Sequence, residues 1–119
     1  MNGKDITAKL KDWGCDTKSA LERFVGDQSL YEECTLIFYR DKDFSALAEH
    51  LKNEDVKAAF NSAHTLKGVA ANLGLTPICQ IINKIVELLR NGSIDEVMPY
   101  YTELMLMRET YARLIGVKE

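Results

Sequence analysis

The chain has 119 residues, of which 46% are apolar and 28% charged, and its formal net charge is −3. That is enough for one globular domain with a real core. The weakly acidic balance excludes a nucleic-acid backbone as partner, which would require a basic face. No apolar run approaches the roughly 18 residues that a membrane-spanning helix needs.

Helical periodicity runs through the whole sequence. Ile6, Leu10 and Trp13 predict a short opening helix that stops at Gly14. Asp16 is placed to cap a second one carrying Ala20, Leu21, Phe24 and Val25, closed by Gly26. Asp27 is placed to cap a third, with Leu30, Tyr31, Cys34, Ile37 and Phe38 on one face. After Asp41-Lys42-Asp43 the series Phe44, Leu47, Ala48, Leu51 resumes, as a separate helix or as the second half of a kinked one. Asn53 is the expected cap of the next helix, whose stripe is Val56, Ala59, Phe60, Ala63, Leu66, Ala70 and Leu73, ending at Gly74.

Thr76-Pro77 reads as a capping hydroxyl followed by a proline whose missing N–H costs nothing there. Ile78, Ile81, Ile82, Ile85, Leu88 and Leu89 follow, and Asn91-Gly92 ends that helix. Ser93 and Glu96 have capping-box spacing before a last stretch with Val97, Tyr101, Leu104, Tyr111 and Ile115 inward. Pro99 predicts a kink there or a later start. Strand signals are absent. The expected fold is all-α: an antiparallel up-and-down four-helix bundle over about 27–115, with short N-terminal helices over about 5–25, in a single domain spanning 1–119.

The chemically informative stretch is Ala63-His64-Thr65-Leu66-Lys67-Gly68-Val69-Ala70-Ala71-Asn72-Leu73-Gly74. At about 100° per residue, His64 sits about 100° from the centre of the apolar stripe, so its ring points outward or lies at the edge. Lys67 and Gly68 follow at i+3 and i+4 and neighbour it on the surface, and Ala71 lies on the same flank. A glycine in mid-helix costs about 1 kcal/mol relative to alanine. Two explanations compete: room for a partner's backbone and a phosphoryl group beside the imidazole, or close packing of another helix. A histidine of ordinary pKa, about 6.5, is largely neutral near pH 7 and offers a nucleophilic nitrogen. Spacing alone leaves this reading level with an unremarkable surface histidine.

The run His64-Thr65-Leu66-Lys67-Gly68, followed by Asn72-Leu73-Gly74, resembles the signature of the histidine-containing phosphotransfer (HPt) domain family. Ala20-Leu21-Glu22-Arg23-Phe24 with Gly26-Asp27 and Leu30-Tyr31, and the helix from Cys79 to Arg90-Asn91-Gly92, are similar to the flanking parts, so the likeness covers roughly residues 14–115. The resemblance implies a phosphorelay intermediate. His64, at Nε2, accepts a phosphoryl group from a receiver-domain aspartate, or from the receiver of a hybrid sensor histidine kinase, and passes it to another receiver. Lys67 steadies the phosphate, Gly68 leaves room, and Ala71 and Asn72 meet the partner. The protein has no kinase site, metal or other cofactor of its own; magnesium is expected on the receiver. This accords with a sequence that lacks both a Gly-rich phosphate loop and metal-spaced acids.

One position departs from the pattern. Many members carry Gln or Glu where this chain has Val86, and that side chain hydrogen-bonds near the active imidazole; Asn83 or Glu87 is the expected substitute. Two rival readings remain. One is an adaptor that keeps the fold and docks receivers; the other is the phosphoacceptor part of a larger histidine kinase. An unrelated helical enzyme would need a second acid–base group near His64.

Other residues have plainer readings. His50 suits the end of its helix. Lys4, Lys9 and Lys11 make a mild basic face. Trp13 and Phe24 pack the short helices over one end of the bundle, and Met98, Met105, Met107, Tyr100 and Tyr101 form core and rim of the last helix. Cys15, Cys34 and Cys79 are odd in number and lack metal-ligand spacing, so reduced thiols are expected. The opening residues hold no secretion leader and the chain begins with Met, so the expectation is a free-standing, monomeric, cytoplasmic protein.

Overall fold

Aspartate begins most of the helices. In the structure, a computed structural model that describes the backbone of residues 3–117 and the side chains of residues 6–117, seven helices follow one another: α1 (Gly3–Asp12), α2 (Thr17–Arg23), α3 (Gln28–Tyr39), α4 (Lys42–Lys52), α5 (Val56–Asn72), α6 (Thr76–Arg90) and α7 (Val97–Ile115). The carboxylates of Asp16, Asp27, Asp41 and Asp55 accept hydrogen bonds from the first-turn N–H groups of Ser19, Leu30, Asp43 and Ala58. Each answers a donor that the helix itself leaves unpaired. The described residues contain no strand and no helix long and apolar enough to cross a membrane. The Lys4 side chain lies outside the described residues.

Three local expectations are corrected. Asn53 does not cap α5; it is the C-cap of α4, and Asp55 does the capping after Glu54 has turned the chain at φ 55°. Thr76 is already helical. Leu75 is the N-cap of α6 and gives no side-chain cap, while the Thr76 hydroxyl reaches back toward the Gly74 carbonyl at 3.4 Å. Ser93 does accept from the Glu96 N–H, at 3.4 Å, but α7 starts only at Val97. That places Pro99 in the first turn, where its missing N–H breaks no ladder bond. The stretch that could have been one kinked helix is two, α3 and α4, parted at Asp41 by an extended ψ of 130°.

α4 packs on α5, α5 on α6 and α6 on α7, so short connections give the antiparallel up-and-down bundle. α3 leans on α7 and α1, and α2 touches α1 and α3, forming a cap on one flank, so the bundle expected from about residue 27 begins instead at α4. The core runs through both parts: Leu47, Leu66, Ile78, Ile82, Ile85 and Leu104 inside the bundle, Leu10 and Tyr31 under the cap, all fully buried. Aromatic rings join them. Trp13 stacks on Tyr111 with centroids 6.4 Å apart, and Phe38 meets both Tyr111 and Phe44. Phe24 packs edge-on against Tyr31 at 5.6 Å.

Three polar side chains buried at the seam are answered. The Glu32 carboxylate accepts from the backbone N–H and hydroxyl of Thr7 and from the Gln28 amide. The Tyr111 hydroxyl donates to the Thr35 carbonyl at 2.6 Å, and the Tyr31 hydroxyl to the Leu73 carbonyl at 2.9 Å. The last of these ties α3 to the α5–α6 corner. There Gly74 has φ +68°, and its carbonyl accepts from the Asp16 N–H at 2.8 Å. A Cβ on Gly74 would stand 2.3 Å from the Asp16 carbonyl oxygen, so only glycine lets α2 close on the corner.

Candidate phosphoacceptor site

The α5 stripe is buried along Ala59, Ala63, Leu66 and Ala70, and half-buried at its edges, Val56 and Phe60. Turning the helix outward from that stripe brings up His64, Gly68, Ala71 and Asn72, all exposed, as the 100° spacing predicted for His64. Among the described residues, His64 has no hydrogen-bond partner; its one recorded contact is a ring. Phe60, one turn earlier, lies parallel to the imidazole with centroids 5.7 Å apart and planes 19° from each other. Neither Asn83 nor Glu87 takes the orienting role expected of it. Asn83 turns to a cavity described below, and Glu87 pairs with Arg90 at 3.5 Å. The Arg90 guanidinium in turn lies over the Phe60 ring, 5.3 Å from its centroid. Val86 is fully buried and belongs to the core. The ring that faces the imidazole comes from its own helix, and no hydrogen-bonding side chain stands at position 86.

Gly68 loses one of its two explanations. A Cβ built there would meet no atom within 4 Å, so no helix of this chain needs the glycine in order to pack. The cost of glycine in mid-helix is therefore not offset inside the molecule.

Lys67 is half-buried and lines a cavity of about 420 Å³ between α2, α5 and the start of α6. Ala71 lines it too, with Asp16 and Arg23 from α2's side and Cys79 and Asn83 from α6. His64, Gly68 and Asn72 are outside that lining. Burial pushes the Cys79 thiol up, with the Lys67 charge pulling it partly back. The Asp16 carboxyl is held below its usual range by the Ser19 hydrogen bonds, with smaller help from Arg23 and Lys18. Among the described residues no three His, Cys, Asp or Glu side chains are grouped to hold a metal ion, and His50 stands in the last turn of α4.

The protein-family model for the Hpt domain matches residues 41–115. The chain belongs to the Hpt domain family. The matched span is the four-helix bundle from Asp41 to Ile115; α1–α3 lie outside it. Neither the curated proteins nor the solved structures compared with the chain contain a significant match. Hpt domains serve histidine phosphotransfer in phosphorelay signalling, carry the phosphoryl group without a kinase activity of their own, and generally interact with response-regulator receiver domains.

Periodicity predicted the exposure of His64 and Gly68; Lys67, expected on the surface beside them, is half-buried. Periodicity missed Phe60 as the partner of the imidazole, although an aromatic four residues before a histidine was a readable signal. Arg90 comes from another helix, and no spacing rule could have brought it to Phe60.

Proposed function

We propose that this protein is a phosphorelay intermediate in which His64 accepts a phosphoryl group from a receiver aspartate and passes it to the aspartate of a second receiver. The observation that carries the proposal is the outer face of α5: an exposed imidazole with no hydrogen-bond partner beside a glycine that nothing in the chain requires. In the forward step, the Nε2 lone pair of the neutral imidazole attacks phosphorus. The acyl-phosphate P–O bond breaks, its electron pair returns to the aspartate carboxylate, and the ring sheds the Nδ1 proton to solvent. The second transfer runs the same exchange in reverse. Such transfers rest on positioning and charge stabilisation, so this side needs only a nucleophile on a rigid helix. The receiver brings magnesium. Lys67 neutralises phosphate charge as a point cation. Ala71 and Asn72 form part of the docking face, and the protein works as a monomer in the cytoplasm beside its receivers.

The test is phosphoryl transfer from a panel of phosphorylated receiver domains, with His64→Gln beside the wild type. The expected result is an acid-labile, base-stable label on the wild type alone, with both proteins folded alike. If no receiver labels the wild type while the same panel labels another Hpt domain, the carrier role is overturned.

A further inference from the structure

A second cavity, of about 250 Å³, opens where α3 breaks into α4, on the side facing α7. None of its lining residues comes from α5 or α6, the helices that carry His64 and its surroundings. Arg40, Asp41, Lys42 and Phe44 line it from the break, and Tyr101 and Arg108 from α7. Three cations face one carboxylate in a chain whose net charge is −3. The carboxylate is already engaged, because Asp41 accepts the Asp43 N–H at 2.8 Å.

Arg108 is the unusual member. Its guanidinium is held between two rings, 4.2 Å from the Tyr39 centroid and 4.6 Å from that of Phe44. Its Nη2 donates to the Tyr39 carbonyl at 2.5 Å, while Nε is buried and unanswered. A guanidinium has five N–H donors, and among the described residues one acceptor meets this one. The described residues hold a single ion pair, Arg90 with Glu87, so no carboxylate lies within ion-pair distance of Arg108. Removing a cation from water without a counter-ion is unfavourable. Two aromatic faces recover part of that and also lock the fork in place. The arrangement is a pre-organised, half-buried donor set that lacks only its acceptor. The positive end of the α4 dipole lies at the same cavity. Burial pushes the Tyr101 phenol up, and the Arg108 charge close by acts against that shift.

We infer that this cavity binds a small oxyanion, a phosphate or a carboxylate, through the Arg108 guanidinium with Arg40 and Lys42 at its mouth. The planar fork suits two oxygens of either group. The site is separate from the phosphoacceptor face and independent of the reading of His64.

The test is an amide NMR titration of the full chain with inorganic phosphate, then with acetate, each against chloride at equal ionic strength. Saturable shifts across residues 40–45 and 101–108 are expected with at least one of the two probes and not with chloride. Phosphate alone, or acetate alone, then identifies which source of oxyanion fits. Arg40→Gln combined with Lys42→Gln, both on the exposed rim, should weaken binding by about tenfold, the scale of one charge-assisted hydrogen bond. Arg108→Lys keeps the charge without the fork and should weaken it at least as much. Shifts confined to residues 64–71, equal shifts with chloride, or unchanged affinity in a folded Arg108→Lys variant would each overturn the inference.

Discussion

Gly68 and Gly74 belong to one short motif and stand on opposite kinds of ground. Gly68 is exposed, and a Cβ there would meet nothing within 4 Å. Around Gly74 there is no room, because the Asp16 carbonyl would lie 2.3 Å from its Cβ and φ is +68°. The second glycine is fully explained by the fold: it lets α2 close on the α5–α6 corner, where Asp16 and Tyr31 bond the Gly74 and Leu73 carbonyls. The first is explained by nothing inside the molecule. On the proposed function, a residue that lowers helix propensity and serves no internal contact leaves room for a receiver beside the exposed imidazole one turn away.

The sharpest way to break this contrast is Gly74→Ala. Left-handed strain plus the collision with Asp16 should cost about 2 to 4 kcal/mol in urea unfolding. Gly26→Ala is the control, since it shares the positive φ, at +76°, but has nothing within 4 Å. It should cost only the strain, about 1 to 2 kcal/mol. Equal losses would mean that the close approach of α2 is not what demands a glycine. Next, Tyr31→Phe strips the Leu73 carbonyl of its buried donor and should lower stability by about 1 to 2 kcal/mol. An unchanged midpoint would show that water reaches that carbonyl and the cap is loosely seated.

At Gly68 the sign reverses. Gly68→Ala should stabilise the protein by about 1 kcal/mol, whereas Gly68→Gln should fold and yet block phosphoryl transfer from a receiver. Full transfer by the glutamine variant would remove the argument from space.

The smallest effect is a reporter on the corner itself. Burial pushes the Cys15 thiol up to about 12 from an ordinary 9.0, with a Thr76 backbone hydrogen bond opposing. The folded state therefore keeps a proton that the unfolded chain releases. This contribution to stability is complete below pH about 9 and fades as pH climbs toward 12. At pH near 8, where little thiolate forms, alkylation of Cys15 should be slower in the folded protein than in the unfolded one. Gly74→Ala should speed it by loosening the corner. Equal rates before and after unfolding would show that the cap does not seal the thiol.

Much of this was legible from local chemistry. Asp16 and Asp27 announced their helices because a capping carboxylate acts within its own first turn. The exposure of His64 followed from one rotation about one helix axis. The same local logic failed at Asn53 and Thr76. Asn53 was the cap expected for α5, and the capping fell to Asp55 once Glu54 took a left-handed turn. Thr76 was drawn into α6 by the corner that Gly74 makes with α2. Val86 cannot hydrogen-bond, and neither substitute sought on α6 bonds the imidazole; the side chain that faces it is the Phe60 ring, on α5.

By itself, the order of residues determined the helical class, the bundle, the two most visible caps and the outward histidine with its open glycine. These depend on periodicity and on contacts within a turn or two. Only the tertiary structure decided the placing of Arg90 over Phe60, the closure of α2 on Gly74 and the lone Arg108 between two rings. Each of those joins different helices. Their geometry is set by how the buried faces pack, and that packing is a property of the whole core.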